Sequence, residues 1–315
     1  MRDRRLFPQI FAVISAMALS MAGAIAAAAP AAPAPQFQRF KIGSYNAVAL
    51  KDGVIEAPVD DKSFVVGQSK EAISAVLAAG GAPADHYEFS IQPLLVHAGK
   101  HVLLIDSGVG HWYGDAGGKL PESMKAAGEK PASVTDIFIS HVHGDHIGGL
   151  LTPAGALAFP NAVIHLSAPE WKYLSSLTET EAKNMAIQHV SEFVSTIKPK
   201  VVPFEPGAVL LPGIVKAVGL KGHTPGHSGY LIGSGKDSVL AFGDAMHSYV
   251  ISVAKPEWHV AFDSDQSLGA ATRVKLVNDS AASGQRLYSE HFPFPGMGKI
   301  VKTDSGARWQ PEAVH

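Results

Sequence analysis

The 315-residue sequence contains no cysteine, so disulfide bonds and thiolate metal sites are excluded. Any metal ion must therefore be held by histidine, aspartate or glutamate. Charge of either sign is also scarce, because charged residues make up 17% of the chain and the formal net charge is -2. This balance argues against a partner such as nucleic acid, which is bound by neutralising its phosphates. A Gly-x-Ser-x-Gly motif is missing as well, so nothing supports a serine hydrolase.

The N-terminal region has the pattern of an export signal. Arg2, Arg4 and Arg5 form a basic start, and an apolar stretch then leads into the alanines at 26–29. We predict a signal peptide over residues 1–29, with an uncleaved membrane anchor as the alternative. A Pro/Ala-rich spacer over 30–36 and a single domain over 37–315 follow. The mature protein is then expected in the periplasm or outside the cell, without membrane contact.

Alternating strand-like and helix-like segments predict an α/β fold. Residues 91–97 and 101–105 suggest a hairpin around Gly99. Helices are predicted after Ser69, over 121–127, and over 265–282. Capping boxes are predicted at Ser167 with Glu170 and at Thr178 with Glu181, the second opening one long helix that extends to Ile197.

Four short apolar runs each end in a residue that can bind a metal. These residues are His141, His223, Asp244 and His291. Side chains that follow strand ends can converge on one edge of a layered fold. Four distant parts of the sequence are therefore expected to contribute to one site.

The strongest local signal is the segment His141-Val142-His143-Gly144-Asp145-His146. It concentrates four ligand-type side chains in six residues, and Gly144 keeps the turn permissive. Burying such a group beside a strand would be costly without a compensating cation. Imidazole and carboxylate are the zinc ligands that remain when cysteine is absent.

A second segment, Gly222-His223-Thr224-Pro225-Gly226-His227, contains two more histidines. His223 directly follows a predicted strand and is a ligand candidate. We interpret His227 as a hydrogen-bonding residue that supports the ligands, with a ligand role as the alternative. Asp244 could be a simple turn residue, but its two oxygens would also allow it to bridge two cations.

Taken together, the segment from Asp106-Ser107-Gly108 to His291 resembles the metallo-β-lactamase superfamily. The resemblance implies an αββα sandwich of two mixed β-sheets flanked by helices, with two divalent ions bound between the sheets. We expect Zn²⁺, with Mn²⁺, Co²⁺ or Fe²⁺ as alternatives. The resemblance assigns one ion to His141, His143 and His223. It assigns the other to Asp145, His146 and His291, with Asp244 as the bridge.

Within this superfamily, the chain is most similar to the methyl parathion hydrolase branch. The shared features lie at 159–163, at Asp263-Ser264-Asp265 and at 294–298. The resemblance implies a hydroxide held between the two metals that attacks a lactone, an aryl ester or an organophosphate triester. Asp145 is expected to carry a proton to the leaving group.

Several other functions stay open. A β-lactamase is disfavoured because one subclass needs a cysteine and the cysteine-free dizinc subclass lacks the bridging aspartate. A thioesterase of the same fold, a zinc-binding periplasmic protein without activity and an iron redox enzyme are further alternatives. The expected partner is a small ester-type molecule, and a homodimer is left open.

Residues around the predicted site have both functional and structural interpretations. Trp112, Tyr113 and Phe292 could form an aromatic wall of the substrate pocket or simply pack the fold. His247 stands three residues after Asp244, where many related lactonases have a tyrosine, which weakens a signal-lactone assignment. Asp106 could orient the metal-binding loops or serve as a turn carboxylate.

Overall fold

In the computed structural model, residues 36–304 and 306–313 are described. The predicted signal peptide and most of the predicted spacer lie outside these residues. None of the described helices is long and apolar enough to cross a membrane.

Eighteen strands make up the sheets of the described chain. They are β1 (Phe37–Ile42), β2 (Tyr45–Leu50), β3 (Gly53–Pro58), β4 (Val65–Val66), β5 (His86–Ile91), β6 (Leu94–Ala98), β7 (His101–Ile105), β8 (Asp136–Phe138), β9 (Val163–Ser167), β10 (Val201–Phe204), β11 (Val209–Leu211), β12 (Val215–Gly219), β13 (Ser228–Ile232), β14 (Val239–Ala241), β15 (His259–Val260), β16 (Arg286–Tyr288), β17 (Met297–Thr303) and β18 (Gly306–Pro311).

Eight α-helices accompany these strands in the same residues. They are α1 (Lys70–Ala79), α2 (Leu120–Ala126), α3 (Gly144–Ile147), α4 (Ala168–Ser176), α5 (Glu179–Asn184), α6 (Val190–Ile197), α7 (Ile251–Ala254) and α8 (Gln266–Ser283).

Two seven-stranded mixed sheets form the body of the fold. The first has the order β1-β2-β6-β7-β8-β9-β10, and the second has the order β11-β12-β13-β14-β16-β17-β18. Two-stranded sheets pair β3 with β5 and β4 with β15. The mixture arises because parallel pairs such as β7–β8 and β14–β16 adjoin antiparallel hairpins.

The sheets pack face to face because strand residues alternate between two apolar clusters. In β2, Ala47 and Ala49 face the layer between the sheets, whereas Val48 and Leu50 face the helices outside the first sheet. A third cluster packs α8 on the outer face of the second sheet, through residues such as Leu276. The predicted αββα sandwich is therefore confirmed.

Most local predictions agree with the structure. Ser69 caps α1, and its side chain accepts a hydrogen bond from Ala72 N. The hairpin of β6 and β7 turns at Gly99, which has a positive φ of 67°. Asp265 caps α8, and Gly284 ends it in the left-handed conformation.

The single long helix predicted after Thr178 is wrong. Its capping box forms as expected, but the chain then breaks into α5 and α6. Ala186 and His189 adopt positive φ angles of 56° and 50° at the break, a conformation that side chains seldom take. The apolar spacing continued across this break, so hydrophobic periodicity alone could not reveal it.

The capping box predicted at Ser167 is only half present. Ser167 Oγ accepts a hydrogen bond from Glu170 N at 3.3 Å. The Glu170 carboxylate does not return to the cap. It accepts hydrogen bonds from Val142 N at 3.0 Å and from Gly226 N at 2.7 Å. The buried carboxylate therefore links the two loops that contain His141 and His223.

Candidate metal centre

Four loops that follow strands meet at one edge of the sandwich. His141 comes after β8 of the first sheet, whereas His223, Asp244 and His291 follow β12, β14 and β16 of the second. Their side chains form two ligand groups within the described residues, which are His141, His143, His223 and Asp244, and Asp145, His146 and His291. The structure thus brings together all seven residues that the sequence suggested as ligands.

The first group presents three ring nitrogens to one point. His143 Nδ1 lies 2.9 Å from both His141 Nε2 and His223 Nε2, and the latter two nitrogens are 3.1 Å apart. Asp244 Oδ2 lies 3.3 Å from His223 Nε2 and 3.6 Å from His141 Nε2. Four donor atoms therefore surround one position.

The second group also brings ligand-type atoms close together, and Asp244 lies beside it as well. His146 Nε2 and His291 Nε2 are 3.3 Å apart. Asp145 Oδ2 lies 3.6 and 3.5 Å from these two nitrogens. Asp244 Oδ1 lies 3.2 Å from His146 Nε2 and 3.1 Å from His291 Nε2. One carboxylate thus gives one oxygen to each group.

These distances fit two tetrahedral cation sites. Zinc–ligand bonds of about 2.0–2.1 Å imply ligand–ligand edges of about 3.3–3.4 Å, and the measured separations scatter around that value. Asp244 Oδ1 is buried without a hydrogen-bond partner in the described structure. A buried acceptor of this kind is costly unless a cation or a proton satisfies it. The residues therefore fit the metal pair that the sequence predicted.

The electrostatics of the histidines follow from burial and from the aspartates. Burial, followed by the neighbouring His146, holds the pKa of His141 well below its usual value. Burial, together with His223, does the same to the pKa of His143. Both rings are therefore neutral and keep a free lone pair for a cation.

The pKa is raised at both histidines of the second group, as it is at His223 of the first, because carboxylates lie close to these rings. Burial favours the neutral form of His291, but Asp244 and then Asp145 raise its pKa to about 9. For His146, burial is likewise outweighed by Asp244, Asp145 and Asp106, which raise its pKa well above the usual value. A cation that binds this group must therefore displace protons.

Further hydrogen bonds orient the ligand rings. His146 Nδ1 donates to Asp106 Oδ2 at 2.8 Å, and the same carboxylate accepts from Ser140 N at 2.7 Å. His291 Nδ1 donates to Ser90 O at 2.8 Å. Such contacts fix which ring nitrogen faces the cation. Asp106 therefore lies where the orienting role requires, and it adopts a positive φ of 55°.

His227 lies behind the ligands and supports Asp244. Its Nδ1 donates to Leu220 O at 2.9 Å, which leaves Nε2 to accept from Asp244 N at 2.9 Å. Both ring nitrogens are thus used within the protein. This is the hydrogen-bonding arrangement that we preferred from the sequence, and it leaves no nitrogen free for a cation.

Gly144 is required for a reason other than turn flexibility. A Cβ at this position would lie 2.4 Å from Ala186 O, and Gly144 N donates to Met185 O at 2.9 Å. The break between α5 and α6 therefore packs directly on the first turn of α3. This contact fixes the turn that contains Asp145 and His146 against the segment at Met185 and Ala186.

The sequence model of the metallo-β-lactamase superfamily matches residues 87–282, which include six of the seven ligand residues. The chain belongs to the metallo-β-lactamase superfamily. Together with the His/Asp ligand groups, this membership makes it a metal-dependent hydrolase.

Solved structures of this superfamily superpose over most of the chain. AidC, a dizinc quorum-quenching lactonase in complex with a product, N-hexnoyl-L-homoserine, has a TM-score of 0.81 and 28% identity, covering 89% of this chain and 98% of that one. The hydrolase AbOPH, of the beta lactamase superfamily, has a TM-score of 0.77 and 26% identity with the same coverage. A quorum-quenching N-acyl homoserine lactone lactonase, at 19% identity and a TM-score of 0.52, shares the fold.

One curated relative matches only a short segment. The Anti-Pycsar protein Apyc1 of Paenibacillus sp. (strain J14) is 36% identical over 75 residues, which are 24% of this chain and 26% of that protein. The match spans about a quarter of the relative's length.

A cavity of about 440 Å³ opens onto the ligand groups of this superfamily member. Tyr113 and His247 line it, as the sequence suggested, and His247 Nε2 lies 3.1 Å from Asp244 Oδ2. The other lining residues are Ile55, Ala57, Phe89, His143, Asp145, Tyr173, Asn184, Met185, Ala186, His223, Asp244, Ala261, Phe262, Asp263, Ser264 and His291.

Two predicted pocket residues instead pack against the hydrophobic clusters, Trp112 partly buried and Phe292 fully buried. The Trp112 ring packs edge to face on Phe193 at 5.3 Å and does not line the cavity. Phe292 is fully buried against Phe242 and Trp309, at 5.5 and 4.9 Å. The backbone turns after His291, so the next side chain enters the layer under α8. The pocket assignment of Trp112 and Phe292 is therefore corrected.

Sequence reasoning missed several residues that support the site. The sequence indicates only a capping role for Glu170, and it marks Asp263 only as one of the features shared with the methyl parathion hydrolase branch. Arg273 lies in α8, where its charge would ordinarily indicate the exposed face, but it is only 1% exposed. No spacing rule connects these residues to the ligands, because the connection runs through tertiary contacts.

Proposed function

We propose that this protein is a dinuclear hydrolase of neutral ester-type substrates. Lactones and aryl esters are the first candidates, with organophosphate triesters as an overlapping activity. The observation that carries this proposal is the cavity: it opens onto both ligand groups, and no lysine or arginine is among its described lining residues. We propose His141, His143, His223, Asp145, His146 and His291 as the ligands, with Asp244 as the bridge and Zn²⁺ as the resident ion.

The charge distribution favours a substrate without an anionic group. The lining includes the carboxylates of Asp145, Asp244 and Asp263 and has aromatic walls such as Phe89 and Phe262. The described lining contains no cationic side chain that could bind a carboxylate or phosphate of the substrate at a distance from the metals. This arrangement disfavours β-lactams, glutathione thioesters and phosphodiesters.

Two divalent ions at these residues would supply Lewis acidity and a hydrolytic nucleophile at neutral pH. The protein's own residues position and protonate the substrate. Asp145 lines the cavity with its side chain 13% exposed, so it can carry a proton to the leaving oxygen. The Tyr113 hydroxyl stays protonated, because burial and the charges of Asp145 and Asp244 raise its pKa. It is therefore available as a hydrogen-bond donor.

The structural neighbours support the lactone arm of this proposal. AidC is a lactonase with a homoserine product bound, and its structure covers most of this chain. His247 lies in the cavity wall beside Asp244, at the position where many related lactonases have a tyrosine. For this reason we propose aryl esters as substrates together with lactones. The features at 159–163, 263–265 and 294–298 support the methyl parathion hydrolase branch, which stays a proposal.

A substrate panel tests the function. The zinc- and manganese-loaded mature protein is assayed with an acyl lactone, an aryl ester, an aryl phosphotriester, an aryl phosphodiester and a cephalosporin. We expect turnover of at least one of the three neutral substrates and the slowest rates with the two anionic ones. Preference for an anionic substrate would overturn the proposal, and two bound metals without any turnover would support zinc sequestration.

We also propose that residues 1–29 are removed on export to the periplasm or the medium. The mature chain would then begin in the 30–36 spacer and continue as one domain over 37–315. N-terminal sequencing of the exported protein tests this, since a start at residue 1 in a membrane fraction would contradict it.

A further inference from the structure

A buried guanidinium lies behind the first ligand group. Arg273, in the middle of α8, has four protein acceptors: its Nε donates to Pro256 O at 3.1 Å and its Nη1 to Ala245 O at 3.3 Å. Its Nη2 donates to Trp258 O at 3.0 Å and to Asp263 Oδ2 at 3.2 Å. Burying a cation is costly, and these partners compensate for the water that the guanidinium loses.

Two of these contacts lead to ligands of the same metal site. The other oxygen of Asp263, Oδ1, lies 3.1 Å from His223 Nδ1, so this carboxylate is placed between the guanidinium and the ligand ring. Ala245, whose carbonyl accepts from Nη1, directly follows Asp244. One side chain therefore fixes His223 through Asp263 and fixes the loop of Asp244 directly.

The backbone around this connection is closely packed. A Cβ at Gly269 would lie 2.3 Å from Asp263 Oδ2, and one at Gly222 would lie 2.3 Å from Gly269 N. Ser264 N also donates to His223 O at 2.9 Å. The start of α8, Asp263 and the His223 loop are therefore held as one unit.

The second ligand group has no contact with this unit that the structure shows. Its rings are oriented by Asp106 and by Ser90 O, at 2.8 Å each. His223 and the second group thus have different supports, whereas Ser140 Oγ connects Asp106 to His141, at 2.7 Å from Asp106 Oδ2 and 3.0 Å from His141 Nδ1. A change in one support is expected to act on one metal more than on the other.

We propose that Arg273 is a positioning residue that sets the affinity of the metal site formed by His141, His143, His223 and Asp244, and acts through Asp263. The positive charge keeps the buried carboxylate in place as an acceptor for the His223 Nδ1 proton. This directs His223 Nε2 at the cation and holds it 3.3 Å from Asp244 Oδ2. The inference rests on the ligand set proposed above.

The test measures metal affinity at one site at a time. In a His291→Ala background, which removes a ligand of the second site, Zn²⁺ dissociation constants are obtained by competition with a chromophoric chelator. We expect Arg273→Met and Asp263→Asn to weaken binding by about 10–100-fold, the usual effect of losing a residue that orients a ligand. Arg273→Lys, which keeps the charge without the planar fork, should recover part of the loss.

Matched controls separate positioning from folding. Lys275 lies on the exposed face of the same helix, paired with Asp279, so Lys275→Met should leave both zinc affinities unchanged. In a His223→Ala background, replacing Arg273 should weaken the second site less than it weakens the first, because Arg273 reaches the second site only through the loop of Asp244. Equal weakening of both sites, or no weakening of the first, would overturn the inference. If Arg273→Met does not fold, Asp263→Asn and Arg273→Lys decide it. A parent protein that binds no metal pair would instead overturn the proposed function.

Discussion

Asp244 Oδ1 lies 3.1 Å from His291 Nε2, while the other oxygen of the same carboxylate lies among the histidines of the first group. Asp244 is a member of the first group, and its Oδ1 also lies within 3.2 Å of both histidine nitrogens of the second. The two proposed metal sites are therefore coupled through one side chain.

Replacement of the shared carboxylate should affect both sites. We expect Asp244→Ala to reduce the metal content from two ions per chain and to lower kcat/KM by more than about 100-fold. Metal analysis and ester hydrolysis measure the two effects. Asp237→Asn, which changes an exposed aspartate elsewhere, is the control. Retention of two tightly bound ions by Asp244→Ala would contradict the bridging role.

Gly144 should not tolerate a side chain. In Gly144→Ala the new methyl group would meet Ala186 O, so either α3 or the α5–α6 turn must move. We expect a loss of about 1–3 kcal/mol in the free energy of unfolding, measured by denaturant titration. Metal analysis should also show weaker metal binding. Gly219→Ala, whose Cβ would make only an ordinary contact of 3.5 Å, should be nearly neutral. Equal stability of the two variants would show that the contact is unimportant.

Substitutions at the adjacent residues Tyr113 and Trp112 should have different effects, the first on catalysis and the second on stability. Tyr113 lines the cavity, so Tyr113→Phe should lower kcat by roughly tenfold, as expected for one lost hydrogen bond, with little change in the unfolding temperature. Trp112 packs on Phe193, so Trp112→Ala should lower stability by about 3 kcal/mol. Steady-state kinetics and thermal unfolding distinguish the two. An unchanged kcat in Tyr113→Phe would show that the hydroxyl takes no part in catalysis.

Metal binding at the second group should depend on pH. The pKa of His291 is raised to about 9 by Asp244 and Asp145 against the effect of burial, so the ring carries a proton at neutral pH before a cation binds. Because a cation must displace that proton, affinity should rise with pH up to about 9 and then level off. Calorimetry in buffers of different ionisation enthalpy should detect the released proton. An affinity independent of pH between 7 and 9 would contradict this order of events.

Four of the proposed ligands could be predicted from the sequence because they follow strand ends. His141, His223, Asp244 and His291 each come directly after an apolar run, and the sheets bring those ends together. The alternation of strands and helices predicted only an α/β fold, and the αββα sandwich was implied by the resemblance to the metallo-β-lactamase superfamily that the His-x-His-x-Asp-His segment carries. These signals are local, and the geometry of a sheet makes them converge.

The supports and the cavity wall could not be predicted in the same way. Glu170 contacts Val142, and Asp263 contacts His223, across long separations in the sequence. Arg273 contacts Asp263, which lies ten residues earlier and outside α8. Trp112 and Tyr113 are adjacent aromatic residues, yet Trp112 packs towards the core and Tyr113 lines the cavity. Their orientation is decided by how the loop packs on Phe193, which no sequence pattern contains.

The central claim is that Asp244 holds two cations in one site, and the electron paramagnetic resonance spectrum of the fully manganese-loaded mature protein tests it most directly. The geometry predicts two Mn²⁺ per chain and a spectrum of a spin-coupled pair, which is lost in Asp244→Ala. One Mn²⁺ per chain, or two ions with the uncoupled signal of isolated Mn²⁺, would contradict the account.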